Sequence, residues 1–115
     1  MVLIQTYDFN GQTYTIKIGK KAEENWKIIE EALPDDIWFH LAGDRPSCHV
    51  ILQVTEDIQK VPIQVIKQCC VLCKANTNKF KSEKNVPVIY TKIKNVKLGE
   101  HVGQVYTSDT KEITI

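Results

Sequence analysis

The stretch PDDIWFHLAGDRPSCHVIL, from residue 34 to 52, constrains the fold more than any other part of the chain. It contains two short apolar runs, one from Ile37 to Leu41 and one that starts at Cys48 and extends to Val54. Short runs rich in β-branched and aromatic residues, bounded by turn residues, predict strands. We therefore expect an antiparallel hairpin that turns across the polar segment 42–47.

Side chains alternate across a strand, so this hairpin sorts its residues onto two faces. Trp38, His40 and His49 are predicted to share one face, with His40 opposite His49, while Arg45 and Ser47 lie in the connecting loop. An aromatic ring, two imidazoles, a guanidinium and a hydroxyl on one surface can hold a ligand. The alternative is that Trp38 belongs to the core and that each histidine is a hydrogen-bonded residue of the sheet.

Hairpins and helices alternate along the rest of the chain. Asn10-Gly11 is a favoured two-residue turn, because both residues tolerate positive φ. Helical spacing of apolar residues predicts two helices. In order, we predict a hairpin over residues 1–19, a helix over 20–33, the central hairpin, a helix over 62–76, a strand over 86–94 and a hairpin that pairs 103–106 with 112–115.

This order predicts an α+β fold with a mostly antiparallel sheet, built from hairpins and packed by two helices. At 115 residues the chain is expected to be a single domain, residues 1–115. The predicted buried residues of the first helix are Ala22, Trp26, Ile29 and Leu33. Those of the second helix are Ile63, Val65, Ile66, Cys69, Cys70, Leu72 and Cys73.

Three of the four cysteines, Cys69, Cys70 and Cys73, fall on the predicted apolar face of the second helix, and the fourth is Cys48. Clustered cysteines favour reduced thiols over a disulfide framework. Cys70 and Cys73 have the spacing of a metal or redox motif, but a structural zinc site needs four ligands. We interpret these residues as buried thiols, and we expect no metal and no cofactor.

Charge is distributed unevenly along the chain. Residues 60–97 hold nine lysines and one glutamate, a net charge of +8, whereas residues 1–59 have a net charge of −5. Such a basic block predicts a polyanion-binding surface if folding gathers the lysines on one side. Aromatic residues among lysines can stack on unpaired bases. The alternative is a solvated, lysine-rich surface. The candidate nucleic-acid-binding residues are Lys60, Lys67, Lys74, Lys79, Lys81, Lys84, Lys92, Lys94, Arg45 and Tyr90.

Two other features can be interpreted either as parts of a functional site or as ordinary structural features. Lys20 and Lys21 at the start of the first helix oppose the helix dipole, which indicates either an anion contact or simple solvation. His40 and His49 could act as acid and base in a hydrolase. Cys48 and His49 are neighbours on a strand and point to opposite faces, which argues against a Cys-His catalytic pair. We expect no enzymatic activity.

Several motifs in the same order along the chain resemble the NFACT-R domain family (DUF814), in its free-standing form. The most specific are the W-F-H and S-x-H-V-I-L pair in the central hairpin. Gly19-Lys20, Cys73-Lys74-Ala75-Asn76, Val88-Ile89-Tyr90-Thr91 and Val102-Gly103-Gln104-Val105 extend the likeness over essentially the whole chain. The resemblance implies a non-catalytic RNA-binding domain related to ribosome-associated quality-control factors. It also implies a signature patch of Asp36, Trp38, His40, Ser47 and His49.

The sequence thus predicts a nucleic-acid-binding module, most simply for RNA (tRNA or rRNA) and linked to ribosomes or translation. DNA binding and a protein-interaction module that docks on a ribosomal or chaperone partner are the alternatives. The chain has no apolar run of transmembrane length and no signal-peptide pattern at its start, so we expect a cytoplasmic location without membrane association.

Overall fold

The computed structural model of the chain describes residues 2–43, 45–102 and 104–115. Met1, Asp44 and Gly103, which belonged to predicted hairpins, lie outside this described part. The strands are β1 (Leu3–Phe9), β2 (Gln12–Gly19), β3 (Ile37–Leu41), β4 (His49–Leu52), β5 (Pro87–Lys92), β6 (Val96–Leu98), β7 (Val105–Thr107) and β8 (Lys111–Thr114), and the helices are α1 (Ala22–Glu31) and α2 (Ile63–Ala75). Single 3₁₀ turns precede α2 (Ile58–Lys60) and follow β5 (Ile93–Asn95).

Six strands form one antiparallel sheet in the order β1-β2-β4-β3-β5-β8, and β6 pairs with β7 in a separate small sheet. This architecture confirms the predicted α+β fold with a mostly antiparallel sheet. The first hairpin turns at Asn10 and Gly11, whose φ angles of 51° and 77° suit the tight two-residue turn. The central hairpin pairs Phe39 with Val50 and Trp38 with Ile51, in the predicted register.

The two helices pack on opposite faces of the main sheet. On one face α2 buries Val65, Cys69 and Cys73 against strand residues that include Phe39 and Val50. On the other face α1 buries Ile28 and Ile29, and this cluster includes the sheet residues Trp38 and Ile51. The alternation within β3 and β4 therefore supplies two separate apolar layers, because neighbouring side chains point to opposite faces.

The buried faces of the helices differ in part from the prediction. Leu33 is 66% exposed because α1 ends at Glu31, two residues before it, and the chain then turns away. Ile28 takes part in the core in its place. In α2, Ile63 is 47% exposed at the first helical position, whereas the other predicted residues are buried or half-buried.

The predicted final hairpin is wrong, because β7 and β8 do not pair with each other. β7 pairs with β6, and β8 joins the edge of the main sheet, where Ile113 lies opposite Val88. The 3₁₀ turn at Ile93–Asn95 redirects the chain after β5, and Val96 and Val105 then pack with α1. β7 thus buries Val105 in the layer beneath α1, and β8 buries Ile113 in the layer beneath α2. A hairpin of these two strands would not allow this.

Across the described part of the chain, neither helix has the length and hydrophobicity that a bilayer-spanning helix requires.

Candidate nucleic-acid interface

Six lysines of the basic block lie on α2 or in the segments directly before and after it, on the face of the sheet opposite to α1. Lys60 precedes the helix, Lys67 and Lys74 lie on it, and three more lysines occupy the loop that follows it. We call this set the lysine surface: Lys60, Lys67, Lys74, Lys79, Lys81 and Lys84. All are exposed except Lys74, which is half-buried and donates a hydrogen bond from Nζ to the carbonyl oxygen of Ile115 at 3.2 Å.

The outer side of α1 carries the opposite charge. Its ten residues include Glu23, Glu24, Glu30 and Glu31 against the single cation Lys27. Because α1 and α2 lie on opposite faces of the sheet, the uneven charge along the sequence becomes a charge separation between two sides of the molecule. This separation favours polyanion binding at the α2 side.

Three further lysines line one groove of about 230 Å³ beside the start of α2, namely Lys92, Lys94 and Lys111. Lys92 also forms a 3.3 Å ion pair with Asp57, which neutralises part of its charge. Sequence reasoning missed Lys111, because it lies in an acidic segment and in a strand that was paired with the wrong partner. In the structure Lys111 is opposite Tyr90, which brings it to this groove.

Two aromatic residues, Tyr90 and Phe80, lie among the lysines of the basic block, and their surroundings differ. Tyr90 is 8% exposed and its ring stacks on that of Phe39, 5.6 Å away, so we place it in the core and leave it out of the interface. Phe80 is half-buried, with the guanidinium of Arg45 5.9 Å and Nζ of Lys79 6.0 Å from its ring centre. Phe80 therefore fixes two cations next to the lysine surface.

A cleft of about 560 Å³ opens where α1 begins and the segment after α2 approaches it. We call it the histidine cleft and define it by Lys20, Asn25, His40, His49, Thr77 and Lys79, which all line it. The central hairpin contributes the two histidines, because alternation turns both toward the α1 face. The rings of His40 and His49 are 4.8 Å apart and nearly perpendicular, which confirms their predicted juxtaposition.

Trp38 holds His49 in one orientation. The indole Nε1 donates a hydrogen bond to Nδ1 of His49 at 3.0 Å, and both side chains are buried. Because Nδ1 of His49 accepts, the neutral ring carries its proton on Nε2. His40 has the other arrangement, since its Nδ1 donates to the carbonyl oxygen of Leu41 and leaves Nε2 as an acceptor.

Both imidazoles are uncharged at neutral pH. Burial, with a smaller contribution from the neighbouring His40, lowers the pKa of His49 to about 3. Burial also lowers the pKa of His40, although its hydrogen bond to Leu41 acts in the opposite direction. Two uncharged rings offer hydrogen-bond donors and acceptors, but neither supplies a protonated general acid near neutral pH.

Asp36 and Ser47, two other members of the signature patch, accept hydrogen bonds from backbone groups at opposite ends of β3. Asp36 lies at the far end of β3, where its carboxylate accepts hydrogen bonds from the backbone N–H groups of Leu33 at 3.0 Å and Val54 at 3.2 Å. The hydroxyl of Ser47 accepts from the N–H of Leu41 at 3.0 Å. Three members of the signature patch, His40, Ser47 and His49, therefore line the cleft. Trp38 orients His49, and Asp36 holds backbone groups away from the cleft.

Asn25 is a cleft residue that sequence reasoning missed. It is 6% exposed, and among the described residues its Oδ1 is buried without a hydrogen-bond partner. Gly19 permits its position, because a β-carbon at Gly19 would lie 2.6 Å from that oxygen. The available signal was a polar residue on the inner side of a predicted amphipathic helix.

The four cysteines are free and buried, as interpreted from the sequence. Burial raises the pKa of Cys70 to about 12 and that of Cys69 above the ordinary range, so both remain protonated. Sγ of Cys48 donates to the carbonyl oxygen of Cys73 at 3.1 Å, which ties the start of β4 to the last turn of α2. No metal-binding group of three or more His, Cys, Asp or Glu side chains occurs in the part of the chain that the structure describes.

The fold and the site define an α+β module with one basic and one acidic helical side, and a basic side of this kind is suited to polyanions. A family model for the NFACT protein RNA binding domain matches residues 3–109. The chain therefore belongs to the NFACT RNA-binding domain family, which confirms the resemblance seen in the central hairpin.

The chain is similar to proteins of two kinds within this family. It is 37% identical to mouse (Mus musculus) coiled-coil domain-containing protein 25 over 110 residues, which cover 92% of this chain and 52% of that protein. It is 33% identical to the Rqc2 homolog RqcH of Bacillus subtilis over 96 residues, 83% of this chain and 16% of that protein. The chain thus spans about half the length of the first relative and a small part of the second.

A solved structure shares the fold. The C-terminal part of the fibronectin/fibrinogen-binding protein from Streptococcus suis matches 96% of this chain and 43% of its own, with a TM-score of 0.80 and 21% sequence identity. This likeness shows that the arrangement of sheet and helices recurs in another protein.

Proposed function

We propose that this domain is a non-catalytic RNA-binding module that holds the phosphate backbone on its lysine surface. The observation that carries the proposal is the separation of charge between the two faces, with the lysines around α2 and the glutamates on α1. Phosphate contacts by lysine supply affinity without reading sequence, so we expect binding that tolerates many sequences.

We further propose tRNA or rRNA as the RNA, in the context of translation or ribosome-associated quality control in the cytoplasm. Membership of an RNA-binding domain family and similarity to an Rqc2 homolog support this assignment. Duplex DNA carries the same phosphate charge, so the comparison of RNA with DNA belongs in the first experiment. The uncharged histidines and the lack of carboxylates among the described lining residues of the cleft support a binding role over catalysis.

Fluorescence-anisotropy titrations with tRNA, single-stranded RNA and duplex DNA, each at low and high salt, test this proposal. Lys67→Glu/Lys81→Glu is the informative variant, because both side chains are exposed and neither forms an ion pair or a hydrogen bond within the described part of the chain. Lys74 is less suitable, since it bonds the backbone at Ile115. We expect the variant to weaken RNA binding about tenfold or more at low salt and to reduce the salt slope by about 2.

The matched control is Lys27→Glu, an equally exposed lysine on α1, at the opposite face of the sheet. Lys27→Glu changes the net charge by as much as either of the two substitutions in the double variant does. We expect it to leave the affinity for RNA within about twofold of that of the unmodified protein. If the control lost about half as much binding free energy as the double variant, net charge alone would govern binding, because the control changes the net charge by half as much. Absence of RNA binding at low salt would overturn the proposal.

A second candidate function is a protein-interaction module for a basic partner such as a ribosomal protein. It is favoured by the acidic outer side of α1, next to which Trp26 and Val102 line a groove of about 450 Å³. In that case the purified domain would bind the ribosome with little sensitivity to Lys67→Glu/Lys81→Glu, while Glu23→Lys/Glu30→Lys would abolish binding. It would also show no affinity for free RNA.

A further inference from the structure

The histidine cleft has the size and position of a ligand site rather than of a packing gap. Its volume of about 560 Å³ lies within the range of small-molecule sites in proteins. Lys79 belongs both to the lysine surface and to the rim of the cleft. A nucleic-acid backbone held on the lysine surface therefore passes next to the cleft opening.

An aromatic stack leads from the core into this cleft. The ring of His40 lies 5.4 Å from that of Trp38 with an angle of 17° between the planes, so one face of His40 is covered by a buried indole. The ring of His49 lies edge-on to the ring of His40. His40 is only half-buried and lines the cleft, which makes it a fixed platform on which one more planar ring can stack.

The residues at this platform offer both hydrogen-bond donors and hydrogen-bond acceptors. His49 offers Nε2–H as a donor because Trp38 occupies its Nδ1, and His40 offers Nε2 as an acceptor. Asn25 adds a side-chain amide whose Oδ1 has no partner among the described residues, although the side chain is more than nine-tenths buried.

Two lysines lie at the opening, and the carboxylate of Glu24 lies beside one of them, where it accepts the backbone N–H of Lys20 at 3.0 Å. Lys20 and Lys79 are both exposed and lie at the rim, while the described residues that line the cleft include no aspartate and no glutamate. A planar ring with mixed donors and acceptors, joined to an anionic group, has the chemistry that fits this site. A nucleotide has these features, whereas an acidic peptide lacks the ring and a free phosphate uses only the rim.

We propose that the histidine cleft binds one unpaired nucleotide of an RNA strand, with its base stacked on His40 and its phosphate near Lys20 and Lys79. The base edge then meets Nε2–H of His49 and the amide of Asn25. This inference rests on the proposed RNA-binding function and adds to it a preference for single strands, because a paired base in a duplex cannot enter the cleft.

Anisotropy titrations with a short polyuridine RNA and with a blunt RNA duplex of equal length test the inference. Proteins are the unmodified domain, His40→Ala, His40→Phe and the rim variant Lys20→Ala/Lys79→Ala, with Lys27→Glu as the control. We expect His40→Ala to weaken single-strand binding about tenfold, much more than duplex binding, since stacking on one side chain contributes this much per base. His40→Phe keeps a planar ring and should retain most of the affinity.

The rim variant provides a test that does not depend on a buried residue, because both lysines are exposed. It should weaken single-strand binding more than duplex binding, and thermal unfolding should match that of the unmodified domain. Equal affinity for single strand and duplex, with equal losses in the His40 variants, would overturn the nucleotide cleft while leaving the lysine surface intact. Loss of all RNA binding by the unmodified domain would overturn both proposals, and these two outcomes are distinct.

Discussion

Acidification is expected to destabilise this domain through His49, a buried base that is uncharged in the folded state. Its pKa is about 3 when folded, against an ordinary value of 6.5. Between these values the unfolded chain binds a proton that the folded chain does not, so the free energy of unfolding decreases as the pH falls. The contribution is nearly complete above about pH 7; about 2 kcal/mol is lost by pH 5, and about 4 kcal/mol by pH 3.

The structural cause is the hydrogen bond from Trp38. Nδ1 of His49 accepts the indole N–H at 3.0 Å, and a proton on Nδ1 would place two donors against each other. His49 is 2% exposed, so water cannot replace the lost bond without opening the sheet. A charged imidazole at this position would also lie 4.8 Å from the ring of His40.

Urea unfolding of the unmodified domain and of His49→Gln, at about pH 7.5 and about pH 5, measures this contribution. Glutamine is neutral and can still accept the Trp38 N–H through its side-chain oxygen. The unmodified domain should lose about 2 kcal/mol more than the variant over this interval, whatever their absolute stabilities. The carboxylates and His101 are common to both proteins, so the comparison isolates His49 together with its effect on His40.

Equal losses of stability in the two proteins would refute the assignment of His49 as a buried neutral base. A direct check is the NMR titration of the His49 ring, which should show no protonation down to about pH 4 in the folded protein. A midpoint near the ordinary value of 6.5 would contradict both the burial and the hydrogen bond.

Two substitutions test, by urea unfolding, one contact beside the cleft and one at the far end of β3. Gly19→Ala should cost about 2 kcal/mol, because its β-carbon would lie 2.6 Å from Oδ1 of Asn25; unchanged stability would contradict the close approach. Asp36→Ala should lower the free energy of unfolding by about 2–4 kcal/mol, because the N–H groups of Leu33 and Val54 lose a carboxylate acceptor. The affinity of the folded variant for RNA should remain unchanged. Asp36→Ala with lost affinity and unchanged stability would show instead that Asp36 contacts RNA.

Local sequence patterns predicted the central hairpin correctly because period-two alternation and its turn segment act over a few residues. The same alternation placed His40 beside His49, and the structure confirms this. The pairing of strands that lie far apart in the sequence was harder to predict. The pairing of β8 with β5 depends on the 3₁₀ turn at 93–95 and on Val96 reaching the layer beneath α1, which no local signal specified.

The candidate site shows the same limit. The lysines of residues 60–97 were visible as a charge block, but their gathering around α2 required the sheet to separate the two helices. Lys111 could not be assigned to the groove before its strand partner was known. The sequence did not identify Asn25 as a cleft residue. A polar residue on the inner side of an amphipathic helix indicates a site only when its side chain is seen to lack a hydrogen-bond partner among the described residues.

The structure separates the contributions to RNA binding that the sequence presents together. The lysine surface is exposed and sequence-tolerant, so its variants should change affinity for every RNA and reduce the salt slope. His40 is an uncharged platform at neutral pH, so its variants should change the preference for single strands at a constant salt slope. Lys79 lies in both regions and should affect both quantities. On these two proposals, a strand that follows α2 would gain affinity from charge and selectivity from the single base in the cleft.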